Sequence, residues 1–238
     1  VIRVGPAGAP RLGKYLMLLP VLIQLIRHRR DYDVIYVCGL RVLGLAGVAA
    51  ARLLGKRCVL RAEACGEWSG DFIFSSPHGN RAVPGEPLIR ALLRVRNRFF
   101  RTADRFLAIS RVIRDEYREG GVPPSEIDLI TNGIEVDDFT PATASDQARL
   151  RSELGLPGGY LFAYSGKLNR GKGLEMLLRA WEKVVAARPH ARLILIGAGG
   201  QQFLSCEADL REFVRSRQLE DSVVFTGYTQ RVADYLRA

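Results

Sequence analysis

Lys167, Arg170 and Lys172 stand among Gly166, Gly171 and Gly173 in the stretch YSGKLNRGKGLEMLLRAW, residues 164–181. Three cations with so little bulk between them could neutralise a phosphate or a diphosphate. Glycine lets an anion approach the backbone closely, and lysine supplies compact charge without demanding one orientation. The flanking sequence says how these residues are held. YLFAYS reads as a strand and LEMLLRAWEKVV as an amphipathic helix, so the cations lie where a strand hands over to a helix. A helix start offers unpaired N–H groups and the positive end of a dipole, and both attract anions. The phosphate loop G-x-x-x-x-G-K-[ST] is absent, because Gly173 follows Lys172. On the residues alone, a solvated basic loop capping a helix remains the alternative.

The surrounding chain falls into two series of alternating elements. Strands are expected at 33–39, 56–63, 104–110 and 125–133, with helices at 40–55, 87–103 and 111–121 and a long glycine-rich loop at 64–87. Helix 87–103 places Leu88, Leu92, Val95 and Phe99 on one stripe, with arginines elsewhere. Residues 134–159 are rich in Pro, Ser, Thr and Asp, and they read as an inter-domain connection with a short helix at 145–154. A second series follows, with strands at 160–165, 192–197 and 222–227 and helices at 173–187 and 206–217, before the helix-like RVADYLRA. The expected class is α/β, with parallel sheets covered by helices in two domains, 1–139 and 140–238.

Composition limits the partners. The chain has 238 residues, is 47% hydrophobic and carries a net charge of +10. No run of 18 apolar residues exists to span a membrane. Residues 1–110 hold 18 Lys and Arg against 7 Asp and Glu, whereas the remainder holds 17 against 18, so the basic character belongs to the first half. Such asymmetry suits nucleic acid, an anionic membrane surface or an anionic substrate. PVLIQLIRHRR (20–30) mixes apolar and basic residues as an interfacial segment does, although an ordinary surface helix with a basic end is the plainer reading. Cys38, Cys58, Cys65 and Cys206 lack metal-ligand spacing and are expected to be small buried apolar residues in a reducing compartment. No metal site is expected, and no D-x-D follows a strand, since DYD (31–33) precedes one.

GKLNRGKG resembles the G-R-x-x-x-x-K-G element of GT-B glycosyltransferases of family 4. ITNGIEVDDFTP (130–141), LILIGAGG (193–200), VVFTGY (223–228) and DRFLAIS (104–110) are similar to further segments of that family, in the same order. The resemblance covers roughly residues 30–238 and implies two Rossmann-like domains. The first would be the acceptor side without its first strand unit, and the second the nucleotide-sugar side without its C-terminal part. It assigns the donor diphosphate to Gly166, Lys167, Lys172 and Gly173, donor-side loops to Gly197, Gly199, Gly227 and Tyr228, and an inter-domain position to Asn132 and Gly133. Two departures stand out. Lys167 replaces the usual arginine, which loses the forked contact with phosphate. Glu63, within RAEACGEW, holds the place where family members often carry an acceptor-side histidine; it could orient a hydroxyl or simply pair with Arg61.

The implied activity is transfer of a sugar from a nucleotide diphosphate sugar to an acceptor hydroxyl with retention, in cell-envelope polysaccharide or glycolipid synthesis. The acceptor would be a saccharide or lipid-linked, with no cofactor and no metal. The location would be cytoplasmic, with peripheral contact to the anionic inner face of the membrane. The family's pair of glutamates separated by seven residues is not found, so the chain itself is expected to be an inactive internal fragment. Two other classes compete. An NAD-dependent oxidoreductase is suggested by LILIGAGG, but Gln202 occupies the third glycine position of G-x-G-x-x-G. A non-enzymatic binder of nucleic acid or anionic polymer is suggested by the basic half, yet no aromatic-interleaved basic patch supports nucleic acid.

Overall fold

The computed structural model describes residue 4 and residues 13–74, 85–200 and 204–238. Part of the loop expected at 64–87 therefore lies outside the described residues. The chain divides into two compact units, Val1–Gly133 and Ile134–Ala238.

The first unit runs α1 (Gly13–Leu16), α2 (Leu18–Arg27), β1 (Val34–Cys38), α3 (Leu43–Leu54), β2 (Arg57–Arg61), α4 (Asp71–Phe74), α5 (Glu86–Phe100), β3 (Arg105–Ala108), α6 (Arg111–Glu119) and β4 (Ile127–Leu129). Its four strands are parallel, in the order β1-β2-β3-β4. Sequential order with right-handed crossovers sends every connecting helix to the same face of the sheet. Burial agrees. Ile35, Val37, Cys58, Leu60, Phe106 and Ala108 are buried with Val48, Ala51, Phe100 and Tyr117 of the helices. The alternate residues Val34 and Tyr36 stay about half exposed, at 48% and 50%. The expectation of helical cover thus holds for one face of this sheet. Local signals set the helix ends. Gly55 closes α3 in the left-handed conformation, and Ser110 caps α6 by accepting from the Ile113 N–H.

The second unit runs α7 (Ala144–Glu153), β5 (Tyr160–Ser165), α8 (Leu174–Ala187), β6 (Ala191–Ile196), α9 (Glu207–Ser216), β7 (Val223–Gly227) and α10 (Val232–Arg237). Its three strands are parallel in the order β5-β6-β7. Leu193 and Leu195 of the central strand pack with Leu174, Leu178 and Trp181 of α8 and with Leu210 and Val214 of α9. Ile194 and Ile196, pointing to the other face, are buried as well. Both units are α/β with parallel sheets.

One expectation needs correction. Cys58 and Cys206 are buried, but Cys38 and Cys65 are exposed. On α5 the structure also decides which way the apolar stripe turns: Leu88, Leu92 and Val95 face solvent. The side of α5 turned to the core carries Phe100 instead, along with Arg96 and Asn97, which bond to the backbone of the loop after β2.

Candidate functional site

The three loops leaving the carboxyl ends of β5, β6 and β7 are tied to one another by backbone bonds. Gly166 N–H donates to Ile196 O at 3.0 Å, Leu168 N–H to Ala198 O at 3.2 Å, and Gly197 N–H to Gly227 O at 3.1 Å. Arg170 N–H donates to Leu204 O at 3.0 Å and Cys206 N–H to Leu168 O at 3.1 Å. Gly197 is where this lacing is tightest. Its φ is 137°, and a Cβ there would stand 2.1 Å from the Gly166 carbonyl oxygen, so only glycine lets the two loops touch. Leu168, fully buried, anchors the middle of the β5 loop.

Above this lacing the cations differ in state. Arg170 is paired with Asp209 of α9. Lys167 and Lys172 are exposed, and neither has an ion-pair partner among the described residues. Residues 170–172 form a single 3₁₀ turn, with Lys172 N–H donating to Asn169 O at 3.1 Å. Gly173, at φ 68°, then starts α8 as its N-cap residue with no side-chain cap. Among the described residues, no N-cap side chain accepts from the first N–H groups of α8. The β6 loop is fixed from below by Glu207, whose Oε2 accepts from Gly199 N–H at 2.8 Å. That bond, seconded by Arg211, holds the Glu207 carboxyl below the ordinary glutamate range. Tyr164 donates its hydroxyl to Lys167 O at 3.1 Å, which sets the path of the β5 loop. Tyr228, just past β7, is 80% exposed.

The first unit gathers a second group at the carboxyl ends of its strands. Arg61, at the end of β2, donates to Asn132 Oδ1 at 2.5 Å and to the Tyr36 hydroxyl at 3.5 Å, and stands 3.7 Å from Glu63. Its Nε is buried, with no hydrogen-bond partner among the described residues. Glu63 keeps 49% of its side chain exposed. Beneath it the Glu67 carboxylate, 5% exposed, accepts from Leu40 N–H at 3.0 Å and Glu63 N–H at 3.2 Å, with Arg41 Nε 3.4 Å away. Glu67 thus joins the loops that follow β1 and β2. Glu116 of α6 accepts from the N–H groups of Gly66, Trp68 and Ser69 at 3.0, 3.1 and 2.7 Å. Arg96 donates to the carbonyls of Glu67 and Trp68 at 2.8 and 2.7 Å.

Gly166, Lys167, Gly197, Gly199 and Gly227 are accordingly brought to one end of the second sheet, with Lys172 and Gly173 at the adjoining helix start. Glu63 and Asn132 meet through Arg61, and Gly133 closes the first unit. The sequence reading missed Glu207, Asp209 and Glu116. Glu207 and Asp209 lie in the first turn of α9, where acidic residues complement the helix dipole. Only the fold shows that they also reach other loops.

Two α/β units with parallel sheets, the second with glycine-laced loops at its strand carboxyl ends, define a Rossmann-like class of fold. The profile of Glycosyltransferase Family 4 matches residues 1–138, and that of Glycosyl transferases group 1 matches residues 159–238. The chain belongs to glycosyltransferase family 4, whose fold is termed GT-B. It is 37% identical over 71 residues to a GDP-mannose-dependent monoacylated alpha-(1-6)-phosphatidylinositol monomannoside mannosyltransferase of Corynebacterium glutamicum, covering 29% of this chain and 19% of that protein. It is 30% identical over 134 residues to mannosylfructose-phosphate synthase of Agrobacterium fabrum, covering 54% of this chain and 29% of that one. HepE of Anabaena, solved with UDP and glucose, superposes with a TM-score of 0.70 at 19% identity, covering 96% of this chain and 56% of that one. The chain thus spans little more than half of that solved structure, and its matches span less than a third of those two relatives.

Proposed function

We propose that the parent protein transfers a sugar from a nucleotide diphosphate sugar to an acceptor hydroxyl with retention at the anomeric carbon. In this reading the first unit is the acceptor side and the second unit the donor side. The carrying observation is the contrast among the cations at the β5–α8 junction. Arg170 is neutralised by Asp209, while Lys167 and Lys172 are left for an anion beside the uncapped start of α8. The barrier is departure of the diphosphate while the sugar becomes oxocarbenium-like. Fixed positive charge placed where the leaving oxygen becomes negative lowers that barrier without reorganisation. The reading gives this task to the two lysines and the helix start rather than to a metal ion or a cofactor. Gly199, Gly227 and Tyr228 would border the donor, with Gly197 holding the loops in place. Neighbours solved with UDP, with UDP and glucose, and with UDP-glucose support a nucleotide-sugar donor.

On the acceptor side, the reading has Glu63 orient the attacking hydroxyl, with Arg61 and Glu67 positioning it. Two relatives bear the names of a phosphatidylinositol mannoside mannosyltransferase and an inositol phosphate glycosyltransferase, which supports a saccharide or lipid-linked acceptor of glycolipid or envelope synthesis. A cytoplasmic location, with peripheral contact to an anionic membrane, belongs to the same reading; no helix among the described residues is long and apolar enough to cross one. Family membership weighs against the oxidoreductase and nucleic-acid alternatives.

The test is titration calorimetry of the chain with UDP, GDP and ADP. At least one should bind, and Lys172→Ala should weaken that binding about tenfold, or about 1.4 kcal/mol. Arg170→Ala should change it by no more than about threefold, because an exposed guanidinium already paired with a carboxylate has little left to offer. Equal losses in the two variants would mean that the pairing does not sort the cations, and unchanged affinity in Lys172→Ala would remove that lysine from the site.

A further inference from the structure

The segment that leaves β4 carries the dipeptide Asn132–Gly133, and the fold leaves it open. Residues 130–135 belong to no helix, strand or turn, and residues 130–140 are exposed throughout. Among the described residues the Gly133 N–H donates to no acceptor. The backbone does not demand a glycine there. Its φ lies outside the left-handed region, and a Cβ would meet nothing within 4 Å. The Asn132 side chain is held at its oxygen. Arg61, at the end of β2, donates from Nη2 to Asn132 Oδ1 at 2.5 Å, while Asn132 Nδ2 has no partner among the described residues. The other described asparagines differ. Asn97 lies inside α5, and the N–H that follows Asn169, that of Arg170, is bonded to Leu204 O.

These features meet the needs of an intramolecular reaction. The backbone nitrogen after an asparagine can close a five-membered ring on the side-chain amide, so the two groups are always near each other. A neighbouring Cβ or a hydrogen bond normally shields that nitrogen, and Gly133 has neither. A guanidinium on the amide oxygen draws electron density from Cγ and stabilises the oxyanion formed on attack. We propose that Asn132–Gly133 is a self-modification site, activated by Arg61, at which asparagine becomes aspartate and isoaspartate. The Gly133 nitrogen gives its proton to solvent and bonds to Cγ of Asn132, and the Cγ–Nδ2 bond breaks. The side-chain nitrogen leaves as ammonia, taking up by way of solvent the proton that Gly133 released. Water then opens the cyclic imide. Opening at Cγ yields aspartate, and opening at the main-chain carbonyl yields isoaspartate, which adds a methylene to the backbone at the end of the first unit. Aspartate puts a carboxylate where a neutral oxygen met Arg61. That contact becomes charge-assisted and competes with Glu63, 3.7 Å from the same guanidinium. No step of this reaction depends on the nucleotide site or on sugar transfer.

The test is timed incubation of the full chain in mildly alkaline buffer, followed by tryptic mass spectrometry. The peptide spanning 119–149 holds Asn132 as its only asparagine. It should gain the mass of an NH2-to-OH exchange, separate into two chromatographic forms and accept a methyl group from an isoaspartyl methyltransferase. Asn97 and Asn169 should stay intact over the same time. The rate should rise with pH, because the attacking nitrogen must lose its proton. Gly133→Ala should slow the reaction at least about tenfold, since a Cβ hinders ring closure. Arg61→Met and Arg61→Gln, each checked by circular dichroism, should slow it at least about threefold in the folded chain. In urea the same two variants should react like the unaltered chain, because residue 61 is then no longer at hand. A folded chain that keeps Asn132 intact while its urea-unfolded form loses the amide would overturn the proposal. So would an undiminished rate in Gly133→Ala, or folded Arg61 variants that react as fast as the unaltered chain.

Discussion

At the scale of single residues, the site depends on side chains that hold loops more than on those that face a ligand. Glu207 is the clearest case, because one carboxylate fixes the turn after β6 through Gly199 N–H. This bond lowers its folded pKa from the ordinary value of 4.5. A depressed carboxyl pKa stabilises the folded state fully above the unfolded value, and that stabilisation is lost as pH falls through the folded one. Glu207→Gln should therefore cost about 1 kcal/mol near neutral pH, a charged-group hydrogen bond discounted for solvent screening. Urea unfolding of both proteins at about pH 7 and again at a pH low enough to protonate Glu207 in the folded state should show the gap at the first and not at the second. A gap of equal size at both values would place the role of Glu207 in packing rather than charge.

At the scale of elements, the loop after β2 shows how polar side chains mould an irregular segment. Glu116 alone receives three backbone N–H groups from Gly66, Trp68 and Ser69. Glu116→Ala leaves those donors without their acceptor and should cost about 2–4 kcal/mol. Hydrogen exchange at residues 66–69 should quicken even under conditions where the strands stay protected. An unaltered exchange pattern there would show that Arg96 and Asn97 suffice to hold the loop. This contrast also marks what the sequence could tell. Parallel strands and the glycine-rich junction before α8 were legible because apolar runs, glycines and cations are local signals. The partner of Arg170 was not, since Asp209 lies 39 residues onward and only the pairing of β5 with β6 brings it near. Periodicity found the stripe Leu88, Leu92 and Val95 yet could not say whether it faced the core. Arg96 and Asn97, polar by type, took part of the inner side because the loop after β2 offered carbonyl acceptors there.

At the scale of the whole molecule, the chain places one tryptophan in each unit, and each lies in its own unit's core. Trp68 is 2% exposed and packs edge-on to Phe106 and Tyr117. Trp181 is 3% exposed, meets Phe162 edge-on and donates to the Ser222 hydroxyl at 3.2 Å. Each tryptophan therefore reports on the core of one unit. Trp181→Phe leaves fluorescence that reports the first unit, and Trp68→Phe leaves fluorescence that reports the second. Nucleoside diphosphate at about a hundred times its dissociation constant stabilises the unit that binds it by about 2.7 kcal/mol. If Lys167 and Lys172 form the anion site, that increment should appear in the urea midpoint of Trp68→Phe and be absent from that of Trp181→Phe. A shift in both would mean that the units unfold as one cooperative body, and a shift in Trp181→Phe alone would move the nucleotide to the first unit. Because the basic excess lies in the first unit and the proposed phosphate site in the second, this experiment separates net positive charge from a built anion site.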